Sequence, residues 1–155
     1  TRLQRISQLL ASLHLAGIFH GDAQVRNFTV SPTSNIEAID WESAQIVDFT
    51  KDENLEIVSD RAANDLRKLF ESIVIGPDGR RKISEVSFSN YFNDVIFNPY
   101  YDFFGSHLID YERDMGILSA IERIVHKDLS TRYADYAKLP ASSSAAASSA
   151  SRRSA

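Results

Sequence analysis

At 155 residues the chain has the length of one domain, and with 43% hydrophobic residues it can bury a substantial core. Its 25% charged residues sum to a net charge of -4, so the general basicity of a nucleic-acid binder is absent. No apolar run approaches the roughly 18 residues of a membrane span. The start, Thr1-Arg2-Leu3, shows no signal pattern, and Thr in place of Met predicts a processed or truncated chain. The absence of cysteine excludes disulfides and thiolate metal sites and fits a reducing interior, so the expected compartment is cytoplasmic.

In chain order, Leu3, Ile6, Leu9, Leu10 and Leu13 recur at steps of three and four, which predicts an amphipathic helix ending near Gly17. Phe28-Thr29-Val30 and Ile36-Glu37-Ala38-Ile39 are β-prone, and Ser31-Pro32-Thr33-Ser34-Asn35 between them is a turn by composition, so a small hairpin is expected. Gln45 to Phe49 has a β-prone centre and runs into an acidic loop. Ser59-Asp60 reads as the cap of a helix through Leu66, Leu69, Phe70 and Ile73, stopped by Gly76-Pro77-Asp78-Gly79. A helix is expected over Ile83 to Phe97, with Arg80-Arg81-Lys82 as a solvated start and Asn98-Pro99 as its break. Met115 to Val125 predicts another, and Ser130 to Lys138 a short last one. The aromatic run from Tyr91 to Phe104 reads as core packing, and His107 and His126 as structural or exposed. From Leu139 onward the composition is almost all Ser and Ala, which predicts a disordered tail over 139–155. The fold class is thus mainly α with a small β-hairpin, in one domain over 1–138.

The chemistry-bearing segment is His20-Gly21-Asp22, followed by Asn27 and by Ile39-Asp40-Trp41-Glu42. Two carboxylates and a carboxamide are the side-chain types that hold a divalent metal against phosphate and receive a proton from an attacking hydroxyl. The predicted hairpin would bring Asn27 and Asp40, which flank its ends, together.

Leu13-His14-Leu15-Ala16-Gly17-Ile18-Phe19-His20-Gly21-Asp22, with Asn27 five residues on and Asp40 thirteen further, resembles the catalytic loop and metal-binding segment of the protein-kinase-like fold. The His-Gly-Asp form, and Asp-Trp-Glu where Asp-Phe-Gly is usual, are closest to the aminoglycoside and choline phosphotransferases and to atypical fungal kinase-like proteins. Asp65-Leu66 resembles the buried aspartate that braces this loop from below. The likeness covers about residues 3 to 75 and corresponds to the large lobe; the N-terminal lobe, with its glycine-rich phosphate cover and strand lysine, is expected to be absent from this chain.

The resemblance implies roles residue by residue. Asp22 is the catalytic group that orients the acceptor hydroxyl and takes its proton. Asn27 and Asp40 are the Mg²⁺ ligands, and ATP is the phosphoryl donor once the missing lobe is supplied. His20 and Asp65 brace the loop, and Glu42 supplements the metal shell or caps the next segment. Family members carry Lys or His two residues after the catalytic Asp; Gln24 stands there instead, so Gln24 and Arg26 are the candidate contacts to phosphate or acceptor. The expected partners are a nucleotide, a hydroxyl-bearing small molecule or protein, and a chain that supplies or covers the missing lobe, with no nucleic acid and no membrane. An uncovered cleft floor would leave apolar side chains exposed. Two alternatives remain: a non-catalytic pseudokinase-type binding module, and a metal-dependent hydrolase using Asp22, Asp40 and His20.

Overall fold

In the computed structural model, which describes residues 1–142, the first apolar stripe forms helix α1 (Arg2–Leu15). Thr1 accepts from the backbone N–H of Gln4, and the Gln4 side chain returns a bond to Thr1, a capping box that satisfies two otherwise unpaired donors. The chain turns at Gly17 into β1 (Ile18–Phe19). The expected hairpin is present: β2 (Phe28–Val30) pairs antiparallel with β3 (Ile36–Ala38), Phe28 opposite Ala38 and Val30 opposite Ile36. Of the β-prone Gln45–Phe49 stretch only β4 (Gln45–Ile46) forms, antiparallel to β1 with Ile18 opposite Ile46. Four α-helices follow: α2 (Leu55–Val74), α3 (Phe88–Tyr91), α4 (Asn98–Ser106) and α5 (Tyr111–Ala137). The described residues are therefore mainly helical, with two small antiparallel strand pairs.

The long helix α2 runs through the core. Leu66, Leu69, Phe70 and Val74 are fully buried, each worth about 1.5–3 kcal/mol relative to exposure. It packs on α5, while α1 packs on α4. Phe70, Phe92, Phe97, Tyr100 and Phe104 make a chain of ring contacts, which Phe88 joins through Tyr133, so the aromatic run is core. His126 bonds Asn93 and lies edge-on to Phe97, and His107 stacks on Phe103. No helix among the described residues is long and apolar enough to cross a membrane.

Four local expectations are corrected. Ser59 does not cap α2 but sits buried inside it, its hydroxyl donating to the Leu55 carbonyl at 2.9 Å. A serine that satisfies itself on the preceding turn can be passed by a helix, and Leu55 and Val58 extend the apolar face upstream. Asn98-Pro99 does not break its helix. A π-helical stretch, Phe92–Phe97, precedes α4, and its wider turn accommodates a residue that lacks an N–H and crowds the carbonyl four residues back. The two helices expected over 115–125 and 130–138 are one. Leu129 and Tyr136 continue the buried face, and the Asp128–Arg132 pair at 2.9 Å bridges the polar stretch.

Arg80-Arg81-Lys82 does not start a helix. Arg81 is buried, its N–H donates to the Pro140 carbonyl at 2.8 Å, its carbonyl accepts from Ser142, and its Nη1 donates to Ile83. These bonds fasten Pro140 and Ser142, the first residues of the expected tail, to Arg81. The remainder of that tail, 143–155, lies outside the described residues.

Candidate functional site

Asp65 points from α2 into the buried space beneath the His20-Gly21-Asp22 loop. One carboxylate oxygen accepts from the His20 backbone N–H at 3.0 Å and from His14 Nε2 at 2.8 Å; the other accepts from the Gly21 N–H at 2.9 Å. His14 Nδ1 lies 2.7 Å from the Tyr100 hydroxyl. Burial, with the negative charge of Asp65, holds the Tyr100 pKa well above its ordinary value. The phenol therefore stays protonated, and because the Asp65 carboxylate only accepts, the His14 Nε2 proton faces it. A carboxylate with no solvent exposure is tolerated because three donors converge on it.

His20 is also buried, and both ring nitrogens are engaged. Nε2 donates to the Ile39 carbonyl at 2.7 Å, and Nδ1 accepts from the Asp22 N–H at 3.2 Å. The ring thus joins the Asp22 loop to the residue before Asp40. Trp41 lies against it, with centroids 4.9 Å apart.

Asp22 accepts from Gln24 Nε2 at 2.7 Å, and Asn27 Nδ2 donates to the Asp22 carbonyl at 2.7 Å and to its carboxylate at 3.2 Å. Both of those partners are acceptors, so the NH₂ end of Asn27 must face them and its amide oxygen must point away. That oxygen carries no hydrogen bond among the described residues. The Ile39 N–H donates to the Asn27 carbonyl at 2.8 Å, so the backbones that carry Asn27 and Asp40 are fastened together, as the hairpin predicted.

Asp40 has φ 61° and ψ 67°, a left-handed conformation costing a non-glycine residue about 1–2 kcal/mol. Pairing on both sides holds it there: Ile39 on Asn27, and the Ala44 N–H on the Trp41 carbonyl at 3.0 Å. Its carboxylate is exposed and unpaired among the described residues. Backbone strain kept in this way collects at functional sites. Glu42 is exposed in the turn that follows.

The Gln24 amide is the main cause holding the Asp22 pKa below its ordinary value. Partial burial opposes it, and Asn27, Lys68 and Arg26 act in the same sense as Gln24. Gln24→Ala is accordingly expected to move the Asp22 titration upward in a carbon-detected NMR pH series. A folded pKa below the unfolded one contributes stability above the unfolded pKa that is lost as pH falls through the folded one. The variant should therefore lose stability at neutral pH and less in acid. An Asp22 titration unmoved by the substitution would remove Gln24 from this role.

Lys68 extends the site beyond the sequence-predicted residues. Its ammonium group donates to the Gly21 carbonyl at 2.7 Å, and Ser72 one turn on accepts from the Val25 N–H at 2.9 Å. Both face a cleft of about 700 Å³ that Asp22, Gln24 and Arg26 also line. A signal for Lys68 exists in the sequence: it stands three residues after Asp65 and so shares its helical face. His14, on the apolar stripe of α1, is a buried-polar position needing a partner, but nothing local points to Tyr100.

Among the described residues no group of three or more His, Asp or Glu side chains is arranged to hold a metal; the constellation is two carboxylates and an amide. No protein-family profile matches the chain, and no curated protein or solved structure matches it significantly.

Proposed function

We propose that the chain is the large-lobe portion of an ATP- and Mg²⁺-dependent phosphotransferase of the protein-kinase-like fold, moving the γ-phosphate to a hydroxyl acceptor. One observation carries the reading. Asp22 is held ionised and oriented by Gln24 and Asn27, while the Asn27 amide oxygen and the Asp40 carboxylate sit uncommitted on backbones fastened to each other. Hard oxygen donors of this kind suit Mg²⁺, with Asn27 and Asp40 holding the ion and Glu42 within the same turn. Bound there, Mg²⁺ neutralises charge on phosphate oxygens.

The residues of the chain do the rest. Asp22 orients the acceptor hydroxyl and takes its proton; with a low pKa, positioning outweighs basicity. Lys68 brings beside Asp22 the positive charge that Gln24 lacks. Asp65 and His20 keep the loop in place. The metal-dependent hydrolase reading needs a free His20 nitrogen, and both are engaged. With no Gly-x-Gly-x-x-Gly in the 155 residues, this chain alone is expected to hold Mg·ATP weakly and to need a nucleotide-binding lobe for turnover.

A second reading, a non-catalytic module of the same fold, is favoured by the apolar side chains exposed around the site. Ile39 and Trp41 are each 42% exposed, and Ile46, on β4, is 84% exposed. A covering lobe or a binding partner would bury them.

Mn²⁺, used in place of Mg²⁺, tests the metal site in the full chain. Its paramagnetic broadening should reach the amides of Asp22, Asn27 and Asp40 before those of Asp48 to Glu53, and Asp40→Ala should erase that order. Broadening that starts in the acidic loop, or that survives Asp40→Ala, would refute the assignment. Transfer that appears when a nucleotide-binding lobe is supplied, and disappears in Asp22→Ala, separates the enzyme from the binding module.

A further inference from the structure

We infer that the acceptor taken by the cleft beside Asp22 is itself anionic: a small hydroxyl compound carrying a phosphate or carboxylate group. The inference deepens the phosphotransferase reading and rests on it. It starts from which charges in the cleft are already spent.

Six charged side chains line the cleft: Asp22, Arg26, Arg67, Lys68, Glu71 and Lys82. Glu71 is neutralised, with Arg67 at 3.3 Å, Arg132 at 3.8 Å and the Tyr136 hydroxyl at 2.7 Å. Arg67 is equally committed, to Glu71 and to Asp128 at 3.3 Å. The Asp22 carboxylate is occupied by the Gln24 and Asn27 amides, which carry no charge.

Three cations remain. Lys68 hydrogen-bonds the neutral Gly21 carbonyl, and the one carboxylate it acts on is Asp22, which Arg26 also faces. Arg26 and Lys82 have no hydrogen bond or ion pair among the described residues. Lys82 lies at the rim, its side chain over Gly76, where the Asp78 carboxylate also approaches from outside the cleft lining. The cleft lining therefore sets three cations, Arg26, Lys68 and Lys82, against the single carboxylate of Asp22.

Physical chemistry selects among ligands. The volume, about 700 Å³, suits a small molecule and not a folded surface. Cations in a concave wall focus their field into it and raise the local concentration of anions. Lys and Arg bind phosphate and carboxylate through charge-assisted bonds. A cationic acceptor would meet three like charges. A hydroxyl beside Asp22 with its anionic group toward Lys68 and Lys82 would place negative charge where the lining has an excess of positive charge.

Amide spectra of the full chain, recorded without divalent metal, test this with three probes: glycerol 3-phosphate, glycerol and choline. Glycerol 3-phosphate should shift the amides of Gln24 to Arg26 and Lys68 to Ser72 saturably, glycerol and choline should not, and inorganic phosphate should compete. Lys68→Met should weaken binding about tenfold, the loss of one charge-assisted bond. Lys82→Glu, at an exposed position where folding is not at risk, should weaken it at least as much. No saturation, equal shifts with choline, or affinity unchanged in Lys82→Glu overturns the inference. Anion binding here alongside failure of Mn²⁺ to locate Asp40 supports the anion site and sinks the phosphotransferase reading. Mn²⁺ at Asp40 with no anion binding sinks this inference alone.

Discussion

Asp65→Ala is expected to cost about 3–5 kcal/mol, measured as a fall in the urea midpoint at unchanged slope. The carboxylate accepts from His14 and from the backbones of His20 and Gly21, in a space closed to water. Alanine leaves those donors unsatisfied, and each such group costs about 1–3 kcal/mol. A domain of this size has only about 5–15 kcal/mol to lose. Asp65→Asn should fall between wild type and alanine: it keeps one acceptor oxygen but turns an NH₂ toward a donor. Hydrogen exchange should show the loss locally first, at His20 and Gly21. A change under about 1 kcal/mol would mean that water reaches the site and that Asp65 does not brace the loop.

Gly21→Ala is expected to destabilise by about 2–4 kcal/mol and to separate the two halves of the site. Gly21 has φ 83°, where any Cβ is strained, and the added carbon would collide with the Ser43 carbonyl and meet the Ser43 Cβ at 2.9 Å. The obstacle is backbone, so either the Asp22 loop or the Trp41–Val47 segment must move. Exchange should accelerate across Trp41 to Val47, and Mn²⁺ should lose its preference for Asp40. Gly79→Ala is the internal control. It has the same hand, φ 76°, but nothing within 4 Å of the added carbon, so it should cost only the conformational strain, about 1–2 kcal/mol. Equal losses in the two variants would show that the close approach of the loop to Ser43 has no energetic weight.

Much of this architecture is legible one segment at a time. The stripe from Leu3 to Leu13 specifies α1, because side chains three and four apart share a helical face whatever the rest of the chain does. Ser31 to Asn35 between two β-prone runs specifies the hairpin, and with it the backbone pairing of Asn27 to Ile39. The order Asp22, Asn27, Asp40 is likewise visible, since short loops leave little choice about which residues meet. Ser59, Pro99 and Arg81 misled for one reason. Each has a strong local preference that a tertiary partner or a backbone adjustment overrode: the helix passes over Ser59, a π-helical stretch absorbs Pro99, and Pro140 and Ser142 pair with Arg81.

What the sequence by itself determined, then, is the set of segments and the chemical types set along the first forty residues. Only the tertiary structure decided how those groups are charged, aimed and supported. The link from Tyr100 through His14 to Asp65 joins residues far apart in the chain, and no periodicity carries such information. The left-handed backbone of Asp40 is a strained state that local preference disfavours and that neighbouring pairs impose. The field of the cleft follows from packing too: α5 and the rest of α2 pair off Glu71 and Arg67, leaving Lys68, Arg26 and Lys82 with Asp22 as the one carboxylate in the lining. Local pattern is set by covalent spacing; charge and aim are set by contacts that exist only once the helices have packed.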